Sequence, residues 1–105
     1  TPLVAAPAHW QAEFANLIWI ALRHKVITPR DVNEKLSLAE LLPITSMEIA
    51  PLWRGALELS IASGVAVYDT LFVELATQQG CRLVTFDKGV LRAFPRVACP
   101  PDELD

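Results

Sequence analysis

The chain has 105 residues, 52% of them hydrophobic and 20% charged, with a formal net charge of −3. That length supports one modest domain with one core, and the apolar share excludes an intrinsically disordered chain. The acidic balance excludes a general nucleic-acid coating protein, which would be basic, and points instead to local acid clusters that need a cation.

No apolar run reaches the ~20 residues that span a bilayer. The longest candidate, Phe14 to Leu22, is short and interrupted by Asn16. The start of the chain lacks the basic n-region of a secretory signal. Cys81 and Cys99 have neither metal-ligand spacing nor a disulfide framework, so a reducing cytoplasmic compartment and no membrane are expected.

Leu3 to Ala6 is a short apolar run closed by Pro7. It predicts a buried strand, with Pro7 opening the helix that follows. That helix is expected over 8–25. It is apolar nearly all round, which predicts a largely buried element. Its polar sliver carries Glu13 and Asn16 and faces either solvent or a polar cleft. His9 and His24 are too far apart to form a metal pair and read as surface or helix-end residues.

Thr28-Pro29 marks an N-cap followed by proline at the first helical position, with a helix to about Leu42. Val32, Leu36, Ala39 and Leu42 share one face. Pro43-Ile44-Thr45 predicts a short strand. Ser46 is then expected to cap a helix over 47–63, with Pro51 in its first turn. Ile49, Leu52, Trp53, Ala56, Leu57 and Ser60 form its apolar stripe, a core or partner face. Ser63-Gly64 ends it.

A linker over 65–67 leads into a helix over 68–79. Cys81, expected in the core, opens a strand over 82–86. Lys88 to Ala93 forms one or two helical turns, Pro95 to Ala98 a last short strand, and 100–105 a loose tail. Alternating strands and helices argue for an α/β fold with a parallel sheet, where ligands sit beyond the carboxyl ends of the strands.

Two acids stand out in this layout. A helix over 68–79 descends roughly 16 Å, and a strand over 82–86 climbs roughly 16 Å back. Asp69 and Asp87 therefore return to one level. Asp69 also sits inside an apolar stripe, within about 60° of Phe72, Val73 and Ala76, while Thr70, Glu74, Thr77 and Gln78 share the opposite side. An acid there is costly to bury without a partner; the alternative is a first-turn acid favoured by the helix dipole. Glu13 would lie roughly 7 Å below the same rim. Three carboxylates are thus placed within reach of one cleft.

Like charges held together raise one another's pKa unless a cation neutralises them. A hard divalent ion suits such oxygen ligands, and Mg²⁺ binds through few carboxylates while keeping several waters. Such an ion activates water for phosphodiester hydrolysis and stabilises the leaving oxygen. Thr85 points to the same side of the expected strand as Asp87. Its hydroxyl can hold a carboxylate or a metal-bound water, or simply serve β-propensity. Lys88 and Arg92 can touch phosphates or remain solvated. Competing chemistries lack parts. There is no glycine-rich phosphate loop among only 4 glycines, and no Cys-His or Ser-His-Asp arrangement. Paired carboxylates for glycoside chemistry are present in principle, on a chain short for a sugar cleft.

The run Tyr68-Asp69-Thr70-Leu71-Phe72-Val73-Glu74-Leu75-Ala76, followed by Leu83-Val84-Thr85-Phe86-Asp87, resembles the distal half of a PIN domain of the VapC-type toxin ribonucleases. Pro7 through Leu22, with Glu13, is similar to the family's early helix with its acid. The resemblance implies a three-layer α/β/α fold with a parallel sheet, spanning 1–105 as a single partial domain. It implies a metal-dependent endoribonuclease holding Mg²⁺ or Mn²⁺ through Glu13, Asp69 and Asp87, with Thr85 beside them. It also implies a homodimer and a small VapB-type antitoxin as partner. The family's first strand, which carries a further acid, has no counterpart before Leu3. A non-catalytic assembly module, using Trp10, Trp19 and Trp53 for hydrophobic contact, is the alternative.

Overall fold

A computed structural model of the chain describes residues 4–103. Leu3 and the last two residues of the tail lie outside the described residues. The chain divides into two compact units, 1–47 and 48–105.

In the first unit, strand β1 (Val4–Pro7) pairs in parallel with β2 (Ile44–Met47), in the register Val4↔Ile44 through Pro7↔Met47. Two helices make the crossover that a parallel pair requires: α1 (Trp10–Arg23) and α2 (Pro29–Glu40), which pack on each other. Pro7 does not open α1. The Ala8 amide donates to Met47 O at 2.7 Å, so the ladder continues past the proline and the helix starts later. Ser46 likewise lies in β2 rather than capping a helix, and its hydroxyl accepts from Trp10 Nε1 at 3.0 Å.

The expected burial of α1 is not found. Ile18 is buried, but Leu17, Trp19 and Ile20 are exposed. A two-stranded ribbon and one neighbouring helix are too small to cover an element that is apolar all round. Trp19 instead meets the Arg23 guanidinium at 6.0 Å from its ring centroid, at the outer edge of cation–π range. The helix closes with Val26 N–H on Ala21 O and Lys25 N–H on Leu22 O, with Lys25 at φ 59°. That is a left-handed C-terminal cap of the kind usually given to glycine.

Helix α2 begins as expected. The Asp31 carboxylate accepts from the Thr28 amide at 2.8 Å and from its hydroxyl at 3.0 Å, and the Asp31 amide donates back to Thr28 Oγ1. The Thr28 backbone bond first, then the hydroxyl, then the Lys35 charge hold the Asp31 carboxyl below the usual carboxylate range. A depressed folded value means the contribution is complete at neutral pH and is lost as pH falls through that value. An NMR titration is expected to show the Thr28 amide proton following Asp31 with a midpoint below that range. A midpoint within or above it would mean the reciprocal cap is open in solution.

The second unit starts with a turn in which Leu52 and Trp53 amides both donate to Ile49 O. The expected helix start near Met47 is delayed to α3 (Trp53–Ser63). Pro51 explains the delay, because it disfavours helical geometry at the residue before it. The chain turns by 117° from α3 into α4 (Val67–Gln79), and the two helices pack closely. Gly64 (φ 78°) and Gly80 (φ 66°) end them in the left-handed region. Among the described residues no single helix is long and apolar enough to cross a membrane.

Strand β3 (Leu83–Val84) pairs in parallel with β4 (Ala98–Cys99) across α5 (Lys88–Ala93), and a 3₁₀ turn follows at Pro101–Glu103. The Arg82 guanidinium fastens the start of β3 to the Val97 and Ala98 carbonyls. Val73, Val90 and Ala98 form the core, with Leu59, Leu83 and Phe94 packed against them. Cys81, expected in the core, is exposed because it follows the Gly80 turn; Cys99 is buried. An α/β chain with parallel strand pairing is what the alternation of elements predicts.

Helix α4 is buried on more than its apolar stripe. Thr70, placed by periodicity on the polar side, is fully buried against α3, and Leu71, Val73, Leu75 and Ala76 are buried too. The polar ridge meets Gly55 of α3. A Cβ on Gly55 would lie 2.5 Å from the Glu74 carboxyl carbon. Gln78 Nε2 donates to Glu74 Oε2 at 2.8 Å and to Pro51 O at 3.1 Å. Polar groups that meet at a helix interface must pair in this way to offset their desolvation.

Candidate metal and nuclease site

Asp69 occupies the first turn of α4 and is half-buried, its amide donating to Ala66 O at 3.0 Å. The expected return of Asp87 to the level of Asp69 depends on a strand over 82–86. The return path differs from expectation. The paired strand covers only Leu83–Val84, not 82–86, because its partner β4 is two residues long. The Thr85 amide still donates to Cys99 O at 3.0 Å. Beyond it the backbone folds over, and the Asp87 amide donates to Thr85 Oγ1 at 3.1 Å.

That bond assigns Thr85 a definite task. Its hydroxyl accepts from the backbone amide of Asp87. Asp87 itself caps α5, with Oδ1 accepting from Val90 N–H at 2.9 Å. An N-cap aspartate is among the best partners for such an orphan amide. Asp87 is exposed, and among the described residues its other carboxylate oxygen takes no hydrogen bond. Lys88 and Arg92 are exposed one helical turn apart on α5.

Glu13 belongs to the first unit. It stands in the first turn of α1, higher than the one and a half turns expected, because that helix starts at Trp10. Its Oε1 lies 3.3 Å from His9 Nε2. The structure thus joins Thr85 to Asp87 and gives Asp69 the same unit, while Glu13 is carried by the other. Among the described residues no group of three His, Cys, Asp or Glu side chains is gathered to hold a metal ion. The donors that Asp69 and Asp87 supply, carboxylate oxygens, are of the kind a hard cation such as Mg²⁺ takes, with water completing its shell.

One residue of the neighbourhood escapes sequence reasoning. Thr70, next to Asp69, bonds through its hydroxyl to α3 at Ala56 O (2.9 Å) and Ser60 Oγ (2.8 Å). The available signal was Ser60, a hydroxyl lying on an otherwise apolar stripe and so in need of a partner.

The family model described as "PIN domain" matches residues 4–98. Ribonuclease VapC3 from two strains of Mycobacterium tuberculosis is 32% identical to this chain over 90 residues, covering 86% of the chain and 64% of the relative. Ribonuclease VapC3 of Pyrobaculum aerophilum is 29% identical over 90 residues, covering 84% of the chain and 69% of the relative. The chain therefore spans only part of the length of these relatives, 64% of one and 69% of the other. The match takes in both units and every acid discussed above: the chain belongs to the PIN domain family.

Proposed function

We propose that this chain carries the acidic site of an endoribonuclease that hydrolyses RNA phosphodiester bonds with Mg²⁺ or Mn²⁺. It acts as the toxin of a pair with a small VapB-type antitoxin. The observation that carries the reading is a PIN match from 4 to 98 that contains Asp69 in the first turn of α4 and Asp87 on the cap of α5. Asp69 and Asp87 are the residues that would hold the ion. When bound, it supplies charge that activates water and stabilises the leaving oxygen. The remaining work falls to the protein. The Val90 amide orients the Asp87 carboxylate, the Thr85 hydroxyl holds its backbone, and Lys88 and Arg92 contact phosphates of the RNA.

The test is cleavage of RNA by the intact protein with Mg²⁺ or Mn²⁺, compared with Asp69→Asn and Asp87→Asn. Loss in both variants is expected, and full cleavage by either removes that acid from the site. The second reading, a PIN-like module for assembly with an antitoxin or a second copy, is favoured by the exposed Trp19 and Trp53 side chains. It stands if no version of the protein cleaves RNA under either metal.

A further inference from the structure

Asp69 projects from a helix end that its own cap does not hold. Ala66 is the N-cap residue of α4, and no side chain hydrogen-bonds there. Alanine is a poor residue at that position. A first turn without a side-chain cap needs other anchors. One of them is a residue further on. Thr70 is fully buried, and its Oγ1 lies 2.9 Å from Ala56 O, 2.8 Å from Ser60 Oγ and 3.3 Å from Val67 O. A hydroxyl has one proton, and a carbonyl only accepts. Thr70 therefore donates to Ala56 O, sharing weakly with Val67 O, and Ser60 donates to Thr70. The direction of the whole chain of bonds is settled by that count.

Successive helical residues point about 100° apart. Thr70 can thus be sunk into α3 while Asp69, on the same turn, points elsewhere. Fixing one fixes the backbone from which the other projects. We infer that Thr70 is a positioning residue: through Ala56 and Ser60 of α3 it holds the first turn of α4, and with it the Asp69 carboxylate, in place for a divalent cation. This rests on the reading of Asp69 as a metal-site acid.

The experiment measures Mn²⁺ affinity of the intact protein by electron paramagnetic resonance, with no RNA present. Thr70→Val removes the hydroxyl at nearly constant shape and is expected to weaken Mn²⁺ binding by about 10-fold, the lower end for groups that orient a ligand. Thr70→Ser, which keeps the hydroxyl, is expected to restore wild-type affinity. In an Asp69→Asn background Thr70→Val is expected to add nothing, since a positioning effect has no carboxylate left to act through. Unchanged affinity in folded Thr70→Val, or a full further loss in the double variant, overturns the inference. Should Thr70→Val not fold, Ser60→Ala replaces it, with a smaller loss expected and unchanged affinity overturning the inference. If Asp69→Asn alone leaves Mn²⁺ binding intact, the reading of Asp69 falls and the inference with it. If Asp69→Asn loses binding while Thr70→Val does not, only the inference falls.

Discussion

Asp87→Asn is expected to lower RNA cleavage by about 100-fold or more while leaving α5 folded, and Asp87→Ala to lose both cleavage and part of the helix. The two variants separate the two tasks of one side chain. As a helix cap, Asp87 accepts from Val90 N–H at 2.9 Å. Asparagine presents the same carbonyl oxygen and caps about as well as aspartate, whereas alanine costs about 1 kcal/mol. In the proposed metal site, Asp87 would contribute through its charge, which asparagine lacks. Several kcal/mol of transition-state stabilisation rest on a bound ion, and each ~1.4 kcal/mol is tenfold in rate. Cleavage rates and urea midpoints on the same samples check both halves. Equal midpoints for the two variants would show the cap to be without weight. Undiminished cleavage by Asp87→Asn would take the residue out of the site.

The largest stability effect is expected at Leu52. Leu52→Ala should destabilise the second unit by about 2–5 kcal/mol, the range for emptying a well-packed leucine site. Leu52 is 2% exposed and stands at the N-cap of α3, where it plugs the turn made by the Ile49 carbonyl. Leu57 is its control. It lies on the same expected stripe yet is 53% exposed, and Leu57→Ala should stay within about 0.5 kcal/mol. In a domain of this size each kcal/mol shifts the melting temperature by roughly 4–8 °C. The two leucines should therefore differ plainly in a thermal melt. Similar losses at both positions would mean that the exposed face of α3 is covered in solution.

That contrast shows which parts of the fold are readable one stretch at a time. Thr28-Pro29, Ser63-Gly64 and the run from Tyr68 carry local signals, and α2, the end of α3 and α4 lie close to where those signals put them. Backbone capping acts over a few residues, so a few residues suffice to see it. The length of β3 depends on β4, which is distant in sequence, and pairing stops where the partner does. Ser46 carries the chemistry of a helix cap but pairs with Ala6 across the first ribbon. Periodicity also assumes one wet face for α4, whereas α3 covers the polar face and turns Thr70 into a core residue. Of the proposed site, the first-turn place of Asp69 on α4 was legible from spacing. The cap that Asp87 forms on α5 was not, because Thr85 and Val90 act through backbone geometry that exists only after folding.

The contact between Gly55 and Glu74 has a consequence for the history of such a chain. Alanine outranks glycine in helices, by about 1 kcal/mol in the interior, and Gly55 stands in the first turn of α3. Any side chain added there meets the Glu74 carboxylate within 3 Å. A lineage that first shortens residue 74 opens the way to alanine at 55. One that changes 55 first displaces the far end of a flexible side chain and its bond with Gln78, a smaller cost than moving backbone. The glycine and the glutamate therefore share one space, and each limits what the other can become.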